Sequence, residues 1–273
     1  MADKAKLSIN QATTRAQWSL EQAIRGYARH GVPGIAVWRD KLAECGTARA
    51  ATLLADHGLR VTGLCRGGMF PAPDEAGSAA AQDDNRRAVD EAVAIGAECL
   101  VLVVGGLPGA SKDLAGARAQ VRDGIARLLP YARAAKMPLA IEPLHPMYAA
   151  DRACVNTLGQ ANDLCDALGE GLGVAVDVYH VWWDPALERE IARAGRRILA
   201  FHICDWLVPT RDLLLDRGMM GDGMIDIPRI RGWVEAAGYR GFHEVEIFSS
   251  ENWWKRDADE VVKTCIARSV DFA

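Results

Sequence analysis

The chain has 273 residues, half of them apolar and a quarter charged, with a formal net charge of -4. That length accommodates one large domain with a substantial core, and the mixed composition excludes a disordered chain. A slight acidic balance without any long Lys/Arg run excludes the electrostatic footprint of a nucleic-acid binder.

No stretch approaches the roughly 18 to 20 apolar residues of a membrane span. The first six residues, Met1-Ala2-Asp3-Lys4-Ala5-Lys6, lack the apolar core of a secretory leader. The expectation is a cytoplasmic protein with no membrane partner. Seven cysteines (45, 65, 99, 154, 165, 204 and 265) are odd in number and contain no CxxC pair. This argues against a disulfide framework or a structural zinc site.

In chain order, eight short apolar runs occupy residues 7–10, 34–38, 60–65, 99–104, 139–144, 173–178, 198–204 and 243–248. Between them lie longer segments of helical spacing, among them 85–95, 113–135 and 160–168. After the first run, Ser8-Ile9-Asn10-Gln11-Ala12 carries no glycine fingerprint, which speaks against an open dinucleotide-binding sheet. Gly105-Gly106 with Gly109, after the fourth run, reads as a loop. Asp113 and either Asn156 or Thr157 are helix starts, and glycines at 58, 96, 171 and 238 stand where helices stop before the next strand. Alternating β and α elements imply a parallel sheet, and eight runs favour closure. The expected fold is a single (β/α)8 TIM barrel spanning 1–273.

In such a barrel the reactive side chains sit at the C-terminal ends of the strands, on the inward-facing parity. The fifth run delivers Glu142 there, the sixth Asp177, the seventh His202, and the eighth either Glu244 or Glu246. Glu244 and Glu246 share parity, but Glu246 lies nearer the rim and is the expected ligand. Glu244, deeper, would pair with a barrel Arg or hold a supporting hydrogen bond. Burying three carboxylates and an imidazole together is unfavourable unless a cation sits among them. The oxygen-rich set suits Mn2+ first, with Mg2+ and Co2+; one His leaves Zn2+ and Fe2+ open.

Around this set, His145 is a candidate base or substrate contact, or a loop residue closing its strand. Asp205 is either a partner of the site or a loop-ordering carboxylate. Trp38 and Trp206 are the aromatic residues best placed to line a pocket. His30, His57 and His243 are assigned to structure or surface.

The motifs I-E-P-L-H-P (141–146), D-V-Y-H (177–180), H-I-C-D (202–205), G-D-G-M-I-D (221–226) and G-Y-R-G-F-H-E-V-E-I-F-S (238–249) resemble the strand-end motifs of the xylose-isomerase-like barrels. That family includes sugar isomerases, ketose 3-epimerases and inosose-processing enzymes. The resemblance implies a Glu-Asp-His-Glu site at Glu142, Asp177, His202 and Glu246. It further implies substrate contacts at His180 and Arg217, and proton transfer by Glu142 and Glu246.

The implied activity is a metal-dependent isomerase or epimerase of a sugar, keto sugar or inosose. A proton is removed beside a carbonyl and an enediolate forms, its charge stabilised by the cation. A lyase or dehydratase, acting on an inosose, 3-dehydroshikimate or a 3-keto C-glycoside, is the alternative on the same barrel. An abasic-site endonuclease would need more than the chain's six histidines and a basic face. The expected partner is a small polyhydroxylated substrate, and the resemblance allows a homo-oligomer.

Overall fold

In a computed structural model of the chain, residues 4–272 are described. Met1, Ala2 and Asp3, which belong to the hexapeptide carrying the leader expectation, and Ala273 lie outside the described residues. Ten strands follow in chain order: β1 (Leu7–Asn10), β2 (Gly34–Trp38), β3 (Arg60–Gly68), β4 (Leu100–Val103), β5 (Leu139–Ile141), β6 (Leu172–Asp177), β7 (Ile198–Ile203), β8 (Asp205–Trp206), β9 (Arg217–Gly218) and β10 (His243–Val245). Eight of them close into a parallel barrel, β1 pairing with both β2 and β10. The expected (β/α)8 TIM barrel is therefore the observed architecture. β8 and β9 form a separate antiparallel ribbon on the excursion between β7 and the next helix, Ile227–Ala236.

These strands are nearly continuous apolar runs because both faces are covered, one by the barrel interior and one by the helices. Helix boundaries follow local chemistry. Asp113 accepts a bond from the Gly116 amide at 2.8 Å and caps helix Leu114–Ala134, and the Thr157 hydroxyl accepts from Gln160 to cap Leu158–Leu168. Gly96 and Gly238, at φ 68° and 104°, reverse the chain out of helices in a conformation that side chains disfavour.

A large apolar cluster fills the space between barrel and helices, with Tyr27, Tyr179 and Phe201 among its fully buried members. A smaller one, formed by Cys65, Cys99, Val101, Ala140, Ala175 and Ala200, packs within the barrel. Ala140, Ala175 and Ala200 each precede an expected ligand by two residues, so they share its face of the strand and floor the site with small side chains. Five strands end sooner than expected, β4, β6 and β7 by one residue, and β5, at Ile141, and β10, at Val245, by three. The ladder is nonetheless continued by backbone bonds from Glu142 N to Leu102 O and from Glu246 N to Ile203 O, both 3.1 Å. β3 instead runs three residues further, to Gly68. Among the described residues, no helix is long and apolar enough to cross a membrane.

Candidate metal centre

Strand register sets the depth of each polar side chain. His202 on β7 is level with Asp177 on β6 and with Glu244 on β10. Glu246 lies one pleat closer to the C-terminal rim, just past the end of β10. The result is a buried group of Glu142, Asp177, His202 and Glu246 whose donor atoms all lie within 4.8 Å of one another.

Glu244 lies outside that group and is held from below. Its two oxygens accept from Asn10 Nδ2 at 2.8 Å and Thr62 Oγ1 at 2.7 Å. No barrel arginine pairs with it; instead the imidazole of His202 stands between two carboxylates. Nδ1 is 2.8 Å from Glu142 Oε1, while Nε2 is 3.4 Å from Glu244 Oε1 and makes no well-aligned hydrogen bond. One nitrogen thus faces the donor group and the other a supporting carboxylate, the arrangement that fixes the tautomer of a metal-binding histidine. Asn10 Nδ2 also donates to Glu246 Oε1 at 2.9 Å, tying the two β10 carboxylates to β1.

Electrostatics records the strain of the arrangement. Burial, reinforced by Glu142, pushes the Glu246 carboxyl up to about 8 against the opposing pull of Arg217 and His202. Burial alone would raise Asp177 as well, but Arg217, His180 and His202 together hold it below the usual carboxylate range. For His202, burial favours the neutral ring, yet Glu244 and Glu142 outweigh it and raise the imidazole well above its ordinary value. Three converging carboxylates and one imidazole, all buried, are a donor set that fits a single divalent cation.

Arg217, placed by the β8–β9 ribbon, closes the site from above. Its Nη1 donates to Asp177 Oδ2 and Glu246 Oε2, each at 3.0 Å, and the guanidinium lies over the rings of Tyr179 and Phe248. Its Nη2 is 3.1 Å from Nε2 of His180. Burial brings the His180 imidazole down to about 3, so the ring is neutral and Nε2 can accept from the arginine.

These residues open onto a cavity of about 280 Å³ whose wall includes Glu142, His180, Arg217, Glu246 and Trp38. Trp38 Nε1 donates to Asn10 Oδ1 at 2.7 Å, so its ring is anchored to the same asparagine that holds both glutamates. Five expected site residues are absent from this wall: Asp177 and His202, which lie buried beside Glu142 and Glu246, and His145, Asp205 and Trp206. His145 stacks on Trp206 with ring centroids 5.2 Å apart and meets Trp183 edge-on, which turns its imidazole into the packing behind the cavity. Trp206 also stacks on Tyr179 at 4.7 Å. Asp205 spends its oxygens on the Trp206, Gly221 and Ile225 amides, each 2.9 Å away, and so orders the ribbon that carries Arg217. Residues the sequence reading overlooked are Asn10, Thr62, Arg66 and Phe248. Asn10 was findable, because it ends its strand on the same parity as Ser8.

The sequence profile of the xylose isomerase-like TIM barrel family matches residues 24–265. Among solved structures, a protein of Sinorhizobium meliloti 1021, SMc04130, is 61% identical over 99% of both chains with a TM-score of 0.98. An IolI protein with a bound zinc atom is 22% identical, covering 98% of this chain and 97% of its own, with a TM-score of 0.85. A D-allulose 3-epimerase from Methylomonas sp., in complex with D-allulose, is 21% identical over 98% and 97% of the two chains, with a TM-score of 0.78. A search of curated protein sequences found no match. With most of its length matched and its barrel closed in the same way, this chain belongs to the xylose isomerase-like TIM barrel family.

Proposed function

We propose that the protein is a divalent-metal-dependent isomerase or epimerase acting on a sugar, keto sugar or inosose. The observation that carries this reading is the convergence of Glu142, Asp177, His202 and Glu246 within 4.8 Å, two of them, Glu142 and Glu246, lining one cavity. All four would hold the cation, Mn2+ being the first choice for so oxygen-rich a set. The zinc atom of the IolI structure and the sugar of the D-allulose 3-epimerase structure support the same class of site. When bound, the ion would stabilise negative charge developing on a substrate oxygen.

The rest falls to the chain's own side chains. Glu142 and Glu246 both face the cavity from different strands, which suits one to remove a proton from carbon and the other to return one. Arg217 donates to Glu246 and keeps its carboxylate oriented. His180, neutral and lining the cavity, would take a substrate hydroxyl at Nε2 in competition with Arg217. Trp38, Tyr148 and Phe248 supply apolar wall that excludes water from a ring-sized guest.

The test is isotope exchange. Protein loaded with Mn2+ is incubated in D2O with a panel of keto sugars and inososes, and proton NMR follows the carbon-bound hydrogen beside the carbonyl. Exchange into at least one compound, abolished by a chelator and by Glu246→Gln, is the expected result. Release of water with appearance of an enone would make the protein a dehydratase instead. Exchange that survives chelation would remove the metal from the account.

A further inference from the structure

Five guanidinium groups line the cavity and the groove that adjoins it: Arg15, Arg39, Arg66, Arg152 and Arg217. Four have carboxylate partners. Arg15 pairs with Asp40 at 2.5 Å, Arg39 with Asp84 at 2.8 Å and Glu91 at 2.5 Å, and Arg217 with Asp177 and Glu246. Arg152 reaches Asp151 loosely, at 3.8 Å, and lies over the Tyr148 ring. Arg66 alone has no hydrogen bond or ion pair with any described residue, although it is half-buried and lines both the cavity and the groove.

The backbone explains its position. The pairing of β3 with β4 slips between Cys65, opposite Val101, and Gly67, opposite Leu102, which leaves Arg66 as the extra residue of a bulge. A regular strand would send consecutive side chains to opposite faces; here Cys65 and Arg66 both line the cavity. Burial draws the Arg66 guanidinium below its ordinary pKa, and the neighbouring charges of Arg152 and Arg39 act in the same direction. A partly desolvated cation with five donors and no acceptor from the chain favours a ligand that supplies one.

We infer that the substrate carries an anionic group, a carboxylate or a phosphate ester, which Arg66 binds as a planar fork with Arg152 beside it. The inference rests on the proposed isomerase site in that it names the substrate of that cavity: an acidic or phosphorylated keto sugar in place of a neutral one. Arginine geometry matches both carboxylate and phosphate bidentately, and the rest of the polyol reaches toward Glu142 and Glu246.

The probes are D-fructose, 5-keto-D-gluconate, D-fructose 6-phosphate and inorganic phosphate, titrated calorimetrically into metal-free protein. At least one of the two acidic sugars is expected to bind about tenfold or more tightly than D-fructose. Which one wins identifies carboxylate or phosphate as the recognised group. Arg66→Met should erase that preference, Arg66→Lys should retain part of it, and Arg152→Met should weaken it without removing it. Arg66 bonds to no other side chain, and Arg152 is exposed and gives up only its loose pairing with Asp151 and its place over the Tyr148 ring. Equal affinity for D-fructose and both acidic sugars would overturn the proposal, as would an equal loss for all of them in Arg66→Met. No detectable binding of any anion at tens of millimolar would do so as well. Asp177→Asn should leave the anion preference in place, so a failure of the metal centre and a failure of the anion subsite give different results.

Discussion

Glu244 and His202 occupy the same level of neighbouring strands, with Oε1 3.4 Å from Nε2, while the other imidazole nitrogen faces Glu142. A buried carboxylate behind a ligating histidine fixes which nitrogen carries the proton and raises the basicity of the other. Glu244→Gln should therefore lower divalent-metal affinity about 10- to 100-fold with little change in fold. Titration with Mn2+ against a competing chelator reads the change directly. Unaltered affinity would show that Glu244 only packs.

Arg217 answers to two carboxylates at once, Asp177 and Glu246. Removing one partner from a buried ion pair leaves charge without compensation, at a cost of about 3–5 kcal/mol. Arg217→Met should melt at lower temperature than the parent in chelator. Added Mn2+ should raise its Tm by more than it raises the parent's, because the ion would neutralise what the arginine no longer does. Equal metal-induced shifts in the two proteins would contradict this role.

Asp205 acts through the backbone. Its oxygens accept from the Trp206, Gly221 and Ile225 amides and hold together the excursion that positions Arg217. Asp205→Ala should speed hydrogen exchange in residues 217–226 while amides of the barrel strands keep their protection. Uniform loss of protection across the barrel would mean that the aspartate supports the whole fold.

His243 gives the protein an acid-sensitive element away from the cavity. It packs edge-on against Phe201, and burial depresses its imidazole to about 4, with Glu235 opposing. The unfolded chain takes up a proton near pH 6.5 that the folded chain refuses until about pH 4. Stability is thus fully present above pH 6.5 and falls as pH drops toward 4, by at most about 3 kcal/mol from this group. Denaturant unfolding at pH 7.5 and 5.0 should show a smaller difference in His243→Gln than in the parent.

Strand ends were legible in the sequence because a parallel barrel imposes a simple rule: inward parity, C-terminal position. Glu142, Asp177 and His202 follow from that rule, and the ladder explains Glu246, one pleat above Glu244. What escaped the reading came from departures from it. The bulge at Arg66 breaks the alternation that would have pointed its side chain away from Cys65. The β8–β9 ribbon folds as a local unit, so Trp206 follows directly after a strand yet turns into ring stacking, while Asp205 takes the loop-ordering role that was one of its two expected ones. His145 shares that fate, since Trp206 and Trp183 capture its ring. Asn10 carries no charge and belongs to no motif, although it ties Trp38, Glu244 and Glu246 together.

The most direct test of the metal centre is elemental analysis of the purified protein after equilibration with Mn2+ and removal of free ion. One divalent ion per chain in the parent, and none in Asp177→Asn that remains folded, is the predicted result. A parent chain that retains no ion, or an Asp177→Asn variant that retains as much as the parent, would contradict it.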